Sequence, residues 1–131
     1  MNSVLIVDDE SGMRHLLKRW LDAEGYDIRE AADAETAIVE ISRDAPDVVM
    51  CDVDMPGQGG LWLAAQIRER FPTTAIVLAT ALDSVPPVVS MRSGIVEYLV
   101  KPFARDRVVR AVSSGMQWHA LAMTRKGRPV H

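Results

Sequence analysis

Five polar side chains in this sequence could do chemistry together. Each follows a short apolar run: Asp8 and Asp9 after 4–7, Asp52 after 48–51, Thr80 after 75–79 and Lys101 after 98–100. Carboxylates brought close together repel one another, so at least one pKa rises unless a cation compensates. Their hard oxygens suit Mg²⁺, which keeps coordination sites for water and phosphate. Such a metal and Lys101 would neutralise a transferring phosphoryl group, with Asp52 as the candidate nucleophile and Thr80 as a hydrogen-bond donor.

These residues need elements that bring them together. Short β-rich runs alternate with helical stripes, which predicts an α/β fold with a parallel sheet and helices on both faces. We expect strands at 4–7, 28–31, 48–51, 75–79 and 98–100, and helices around 13–21, 34–41, 61–71 and 105–123. A further helix of about two turns would start at Pro86-Pro87 and end before Gly94. Because parallel strands end at one edge, the five polar residues should share a rim.

Composition predicts one soluble domain. The chain has 131 residues, of which 48% are apolar and 25% charged, and its formal net charge of −3 argues against direct nucleic-acid binding. A single cysteine, Cys51, favours a reducing compartment. We find no signal-peptide pattern and no run of membrane-spanning length. We therefore expect a cytoplasmic protein with no membrane contact.

Four motifs resemble the receiver domain of two-component response regulators. They are Val-Asp8-Asp9-Glu, Asp52-Val-Asp-Met-Pro56 with Gly60 beyond it, Ala-Thr80-Ala, and Tyr98-Leu-Val-Lys101-Pro-Phe. The resemblance covers about residues 3 to 123. It implies an open, doubly wound, flavodoxin-like sheet of five strands in the order 2-1-3-4-5 with five helices. Residues 1–123 would be the receiver domain, and 124–131 a flexible tail that is either the start of a linker to a further domain or the end of a single-domain regulator.

The resemblance also implies the role of each site residue. Asp52 would take a phosphoryl group from the phosphohistidine of a sensor histidine kinase or phosphotransfer protein. Asp9 and Asp52 would bind Mg²⁺ directly, Asp8 would act through water, and the main-chain carbonyl of Asp54 would be a further ligand. Thr80 and Lys101 would contact the phosphoryl oxygens. Such a domain assists its own phosphorylation and dephosphorylation without being an enzyme in the ordinary sense.

A switch is implied in the same way. Phosphorylation would draw Thr80 toward the site and rotate Tyr98 inward, repacking the surface formed by the fourth predicted helix, the fifth strand and the last helix. The peptide bond between Lys101 and Pro102 is commonly cis in the family. That switch surface, or the last helix with its apolar Trp118, Leu121 and Ala122, could also form a homodimer.

Other readings of the same residues stay open. Asp8-Asp9 could simply begin a helix, Thr80 and Tyr98 could be ordinary strand residues, and a buried Cys51 normally behaves as a small apolar residue. A pseudo-receiver, an interaction module that is not phosphorylated, is one alternative function. A haloacid dehalogenase-type phosphatase is another, because Asp52-Val-Asp54 resembles its nucleophile and acid pair. Against it, Asp52 follows the third strand rather than the first, and proline occupies position 56.

The sequence departs from the family pattern beside the site. The segment from Thr80 to Gly94 is short and contains Pro86-Pro87, which leaves open the shape of the fourth helix and the partner that reads the switch. Asp54 and Leu82 occupy variable positions that tune aspartyl-phosphate lifetime in the family. A carboxylate at 54 adds negative charge and Leu82 cannot orient water, so we expect slow autodephosphorylation.

Overall fold

A computed structural model describes residues 2–81 and 94–126 of the chain. Its strands are β1 (Ser3–Val7), β2 (Asp27–Ala31), β3 (Val48–Asp52), β4 (Ala75–Thr80) and β5 (Ile95–Val100). Its helices are α1 (Ser11–Asp22), α2 (Ala34–Arg43), α3 (Gly60–Arg70) and α4 (Arg105–Lys126). All neighbouring strands are parallel, in the order β2-β1-β3-β4-β5. This confirms the predicted fold class and strand order.

Alternate side chains of the central strands point to opposite faces of the sheet, and each face has its own core. On one face, Leu5, Val49 and Leu78 pack with residues of α2 and α3. On the other, Ile6 and Met50 pack with residues of α1 and α4. All five residues of β3 are buried. A strand covered on both faces is apolar throughout, which explains why the run before Asp52 shows no alternation.

The boundaries of the last two elements of the chain, β5 and α4, differ from those predicted from the sequence. β5 begins at Ile95 rather than Tyr98, because Ile95 already pairs with Ile76, after which the register shifts by one residue at Val96. The last helix continues to Lys126. The helix predicted to start at Pro86-Pro87 lies outside the described residues, which contain four helices. Within those residues, no helix has the length and apolarity needed to cross a membrane.

Candidate functional site

The polar residues singled out from the sequence meet at the carboxyl edge of the sheet. Asp52 and Thr80 are the last residues of β3 and β4, while Asp8 and Lys101 directly follow β1 and β5. The main-chain N–H of Lys101 donates to the Thr80 carbonyl at 2.8 Å, which continues the β4–β5 ladder to the rim. The N–H of Val53 donates to the Ala79 carbonyl at 2.8 Å in the same way. The sheet itself therefore sets the positions of these side chains.

Three of the side chains form an acidic cluster. Carboxylate oxygens of Asp8, Asp9 and Asp52 all lie within 4.8 Å of one another. Asp8 and Asp52 are 3% and 4% exposed, whereas Asp9 is exposed to solvent. The cluster therefore has two buried carboxylates and one open side that a solvated ion can reach.

Lys101 lies between the two buried carboxylates. Its Nζ is 3.4 Å from Asp52 Oδ2 and 3.6 Å from Asp8 Oδ2. The peptide bond between Lys101 and Pro102 is cis, as the family resemblance implies. One ammonium group thus touches both the candidate nucleophile and one of the candidate metal ligands.

Among the described residues, the carboxylates of the acidic cluster outnumber the cationic side chains that contact them. Burial raises the pKa of Asp52, the charge of Lys101 lowers it, and the charge of Asp8 raises it again, with a net upward shift. In the part of the chain that the structure describes, the three carboxylates are paired with one lysine, which leaves an excess of two negative charges when all three are ionised. A divalent cation with a preference for oxygen ligands matches both that charge and these donors. The residues present therefore fit Mg²⁺.

Thr80 and Asp54 make a contact that the sequence did not predict. The Thr80 hydroxyl donates to Asp54 Oδ2 at 3.1 Å, and Thr80 is fully buried. The main-chain N–H of Asp54 donates to Asp52 Oδ1 at 3.2 Å. Asp54 thus touches the candidate phosphoacceptor with its backbone and the candidate switch hydroxyl with its side chain. A metal-ligand role for its main-chain carbonyl stays a prediction.

Tyr98 lies on β5 and is partly buried against the core formed with α2 and α3. Burial raises the pKa of its phenol, a side-chain hydrogen bond with Thr80 lowers that pKa, and the charge of Asp54 raises it. The phenol is therefore electrostatically linked to the Thr80–Asp54 pair. Its predicted inward rotation stays a prediction.

Two further residues, Arg14 and Gly60, support the backbone of the rim, and neither contact was predicted from the sequence. Arg14 of α1 donates to the main-chain carbonyl of Asp8 at 2.7 Å and pairs with Glu30 at 3.3 Å. Gly60, the first residue of α3, packs on the backbone of Asp52 and Val53, where an added Cβ would clash with the Asp52 carbonyl. A basic residue early in the helix after an acidic pair was the available signal for Arg14. The sequence contains no signal that predicts the close approach of Gly60 to the backbone of Asp52 and Val53.

The structure also bears on the interpretation of Cys51 and of the last helix. Cys51 is fully buried, and burial followed by the charges of Asp52 and Asp8 raises the pKa of its thiol far above the usual range, which supports an inert apolar role. On α4, Trp118 packs against the core, while Leu121 is 61% exposed. The homodimer stays a prediction, and Leu82 lies outside the described residues.

Known proteins resemble this chain over most of its length. The family model for the response regulator receiver domain matches residues 4–113. The chain is 35% identical over 111 residues to the transcriptional regulatory protein ResD of Bacillus subtilis and 36% identical over 107 residues to TrcR of Mycobacterium tuberculosis. These alignments cover 85% and 81% of this chain, but only 46% and 42% of the relatives. The chain therefore spans less than half the length of those curated relatives.

A solved structure extends the likeness to the fold. The response regulator TrrA of Thermotoga maritima, in complex with Mg²⁺ and BeF, is 35% identical to this chain with a TM-score of 0.80. The match covers 88% of this chain and 99% of TrrA.

Proposed function

The chain belongs to the response regulator receiver domain family, and from that premise we propose that Asp52 is its phosphoacceptor. The observation that carries the proposal is the contact of Lys101 with Asp52 beside two further carboxylates. On this proposal the domain is a phosphorylated signalling element rather than an enzyme that turns over a separate substrate. Its donor is the phosphohistidine of a sensor histidine kinase or phosphotransfer protein.

The transfer is a single displacement at phosphorus. A carboxylate oxygen of Asp52 attacks the phosphoryl group of the donor, the P–O bond forms, and the P–N bond to the histidine breaks. The released imidazole nitrogen takes up a proton. The Asp54 N–H holds Asp52 Oδ1, and Lys101 lies near Asp52 Oδ2, so the carboxylate is oriented before the donor arrives.

Mg²⁺ would be held by Asp9 and Asp52 directly, by Asp8 through water, and by the Asp54 main-chain carbonyl. When bound, it supplies positive charge that offsets the charge on the transferring phosphoryl oxygens. Lys101 can exchange its contact with Asp52 for one with a phosphoryl oxygen while staying at the same rim. The buried Thr80 hydroxyl is the donor available from the β4 side.

The pseudo-receiver and the phosphatase are separated from this proposal by one experiment. The protein is incubated with Mg²⁺ and acetyl phosphate, and its intact mass and the released phosphate are measured. We expect a gain of one phosphoryl group that is absent from Asp52→Asn and absent without a divalent metal. No gain in wild type contradicts the proposal in favour of a pseudo-receiver. Steady phosphate release from unrelated phosphate esters contradicts it in favour of a phosphatase.

A further inference from the structure

The Thr80 hydroxyl, which we propose contacts the phosphoryl group, already donates a hydrogen bond in this structure. Thr80 has one hydroxyl proton, and Asp54 Oδ2, a carboxylate oxygen that accepts it, lies 3.1 Å from the hydroxyl, while the Tyr98 phenol is hydrogen-bonded to the same hydroxyl group. Thr80 is fully buried, so bulk water cannot take over this contact without a local rearrangement. Any new acceptor for the same proton must therefore displace Asp54.

Asp54 is well placed to keep its side chain over Thr80. Asp54 is exposed to solvent. Its backbone is nevertheless held at the site, because its N–H donates to Asp52 Oδ1 at 3.2 Å. The adjacent Val53 N–H is bonded to the Ala79 carbonyl at 2.8 Å, which holds this segment beside the end of β4. The carboxylate is consequently carried by backbone that is hydrogen-bonded both to the phosphoacceptor Asp52 and to the end of β4.

We propose that the Asp54 carboxylate is a positioning residue that latches Thr80 in the resting state, so that phosphorylation must exchange one acceptor of the Thr80 hydroxyl for another. This inference rests on the proposed function of Asp52. The latch stabilises only the resting arrangement, and a contact made in one of two states shifts the population toward that state. Removing the Asp54 carboxylate should therefore favour the arrangement in which Thr80 faces the phosphoryl group.

The affinity for beryllofluoride with Mg²⁺, the group bound to TrrA, provides the first test. We expect Asp54→Ala to bind it roughly fivefold more tightly than wild type, since a hydrogen bond to a charged acceptor is lost only from the resting state. Asp54→Asn should show a smaller gain because its amide oxygen can still accept from Thr80.

Loss of negative charge could tighten binding of an anion by itself, and a double-mutant cycle removes that ambiguity. In a Thr80→Val background the latch has no hydroxyl, so Asp54→Ala should no longer change the affinity. If the Asp54→Ala gain is equally large in Thr80→Val, the gain comes from charge alone and the latch is wrong.

A second measurement needs no phosphoryl group. The side-chain rotamer populations of Thr80 are measured by NMR couplings in unliganded wild type and unliganded Asp54→Ala, which should fold because Asp54 is exposed. We expect one dominant rotamer in wild type and a redistribution, with a shifted Tyr98 ring signal, in the variant. Unchanged Thr80 rotamers would overturn the latch even if beryllofluoride binds. Failure of wild type to bind beryllofluoride would instead count against the proposed function, while the rotamer result would still decide the latch.

Discussion

Lys101 is the residue on which the electrostatics of the rim depend. Burial lowers the pKa of its ammonium group, but the charges of Asp8 and Asp52 outweigh this effect and raise the pKa above its usual value. Lys101 therefore stays protonated across the physiological pH range. A permanent positive charge between two buried carboxylates makes it possible for both to be accommodated beneath the surface.

The raised pKa of Asp52 leads to a prediction about stability without metal. Folded Asp52 holds its proton more tightly than the unfolded chain, whose carboxyl pKa is near 3.8. The stability contributed by this group is thus present below that usual value and is lost as pH rises through the raised pKa. In EDTA at pH 7 we expect Asp52→Asn to unfold roughly 2–5 °C above wild type, with the difference vanishing in acid. Thermal unfolding across pH measures this, and a wild type at least as stable as Asp52→Asn at pH 7 would contradict it.

Asp9 provides a matched test of the metal site, because its carboxylate is exposed and belongs to the cluster. Mg²⁺ at ten times its Kd should stabilise the wild type by about 1.4 kcal/mol through mass action. Asp9→Asn should weaken Mg²⁺ binding by about tenfold or more, since even the loss of a residue outside the first coordination shell typically weakens metal binding by that factor. The melting temperature in EDTA should change little. Glu10→Gln removes the same charge one residue later, outside the cluster, and should leave the Mg²⁺ effect largely intact. Equal losses in the two variants would mean that Asp9 is not a ligand. Calorimetry and thermal unfolding report both quantities.

At the scale of elements, the start of α3 is fixed by its contact with the end of β3. The Gly60 N–H donates to the Val53 carbonyl at 3.2 Å, and a Cβ at position 60 would lie 2.8 Å from Val53 Cα in addition to clashing with the Asp52 carbonyl. Since the same backbone carries the phosphoacceptor, α3 cannot be displaced without moving the site. The packing of α3 therefore helps to determine the orientation of the Asp52 side chain.

Substituting Gly60 tests this coupling. We expect Gly60→Ala to lower the free energy of unfolding by about 3 kcal/mol, because backbone rather than a flexible side chain must move, and to reduce phosphorylation of the molecules that remain folded. Gly12→Ala is the matched control: Gly12 lies in α1 with open space around it, so alanine should stabilise by about 0.5 kcal/mol. Urea unfolding measures both. A Gly60→Ala protein as stable as Gly12→Ala would refute the close approach.

The positions of the strand ends, and hence of the site, could be predicted from the sequence. Apolar runs that end in Asp8, Asp52, Thr80 and Lys101 predict strand ends, and strand ends of a parallel sheet predict a shared rim. The contact of Thr80 with Asp54 could not be predicted, because it depends on a side-chain rotamer of an exposed residue. The start of β5 at Ile95 was missed because the register shift between Ile76 and Val77 is a pairing property of two distant strands.

At the scale of the whole molecule, the fold places long-range partners within reach of one another. Lys101 and Asp8 are distant in sequence, yet their charged groups are 3.6 Å apart because β1 and β5 end at the same edge. At the opposite edge, the Nδ1–H of His119 on α4 donates to the Thr73 carbonyl at 2.6 Å, and its Nε2 lies 3.2 Å from Asp47 Oδ1. Helix α4 is therefore fastened to the sheet well beyond its first turns.

The most direct measurement identifies the phosphorylated atom. After incubation with Mg²⁺ and a phosphohistidine donor, the protein is reduced with borohydride, which converts an aspartyl phosphate to homoserine, and its peptides are sequenced by mass spectrometry. We expect homoserine at position 52 and at no other aspartate, with none in Asp52→Asn. Homoserine at Asp8, Asp9 or Asp54, or unmodified Asp52 in a protein that has gained a phosphoryl group, would contradict the assignment of Asp52 as the phosphoacceptor.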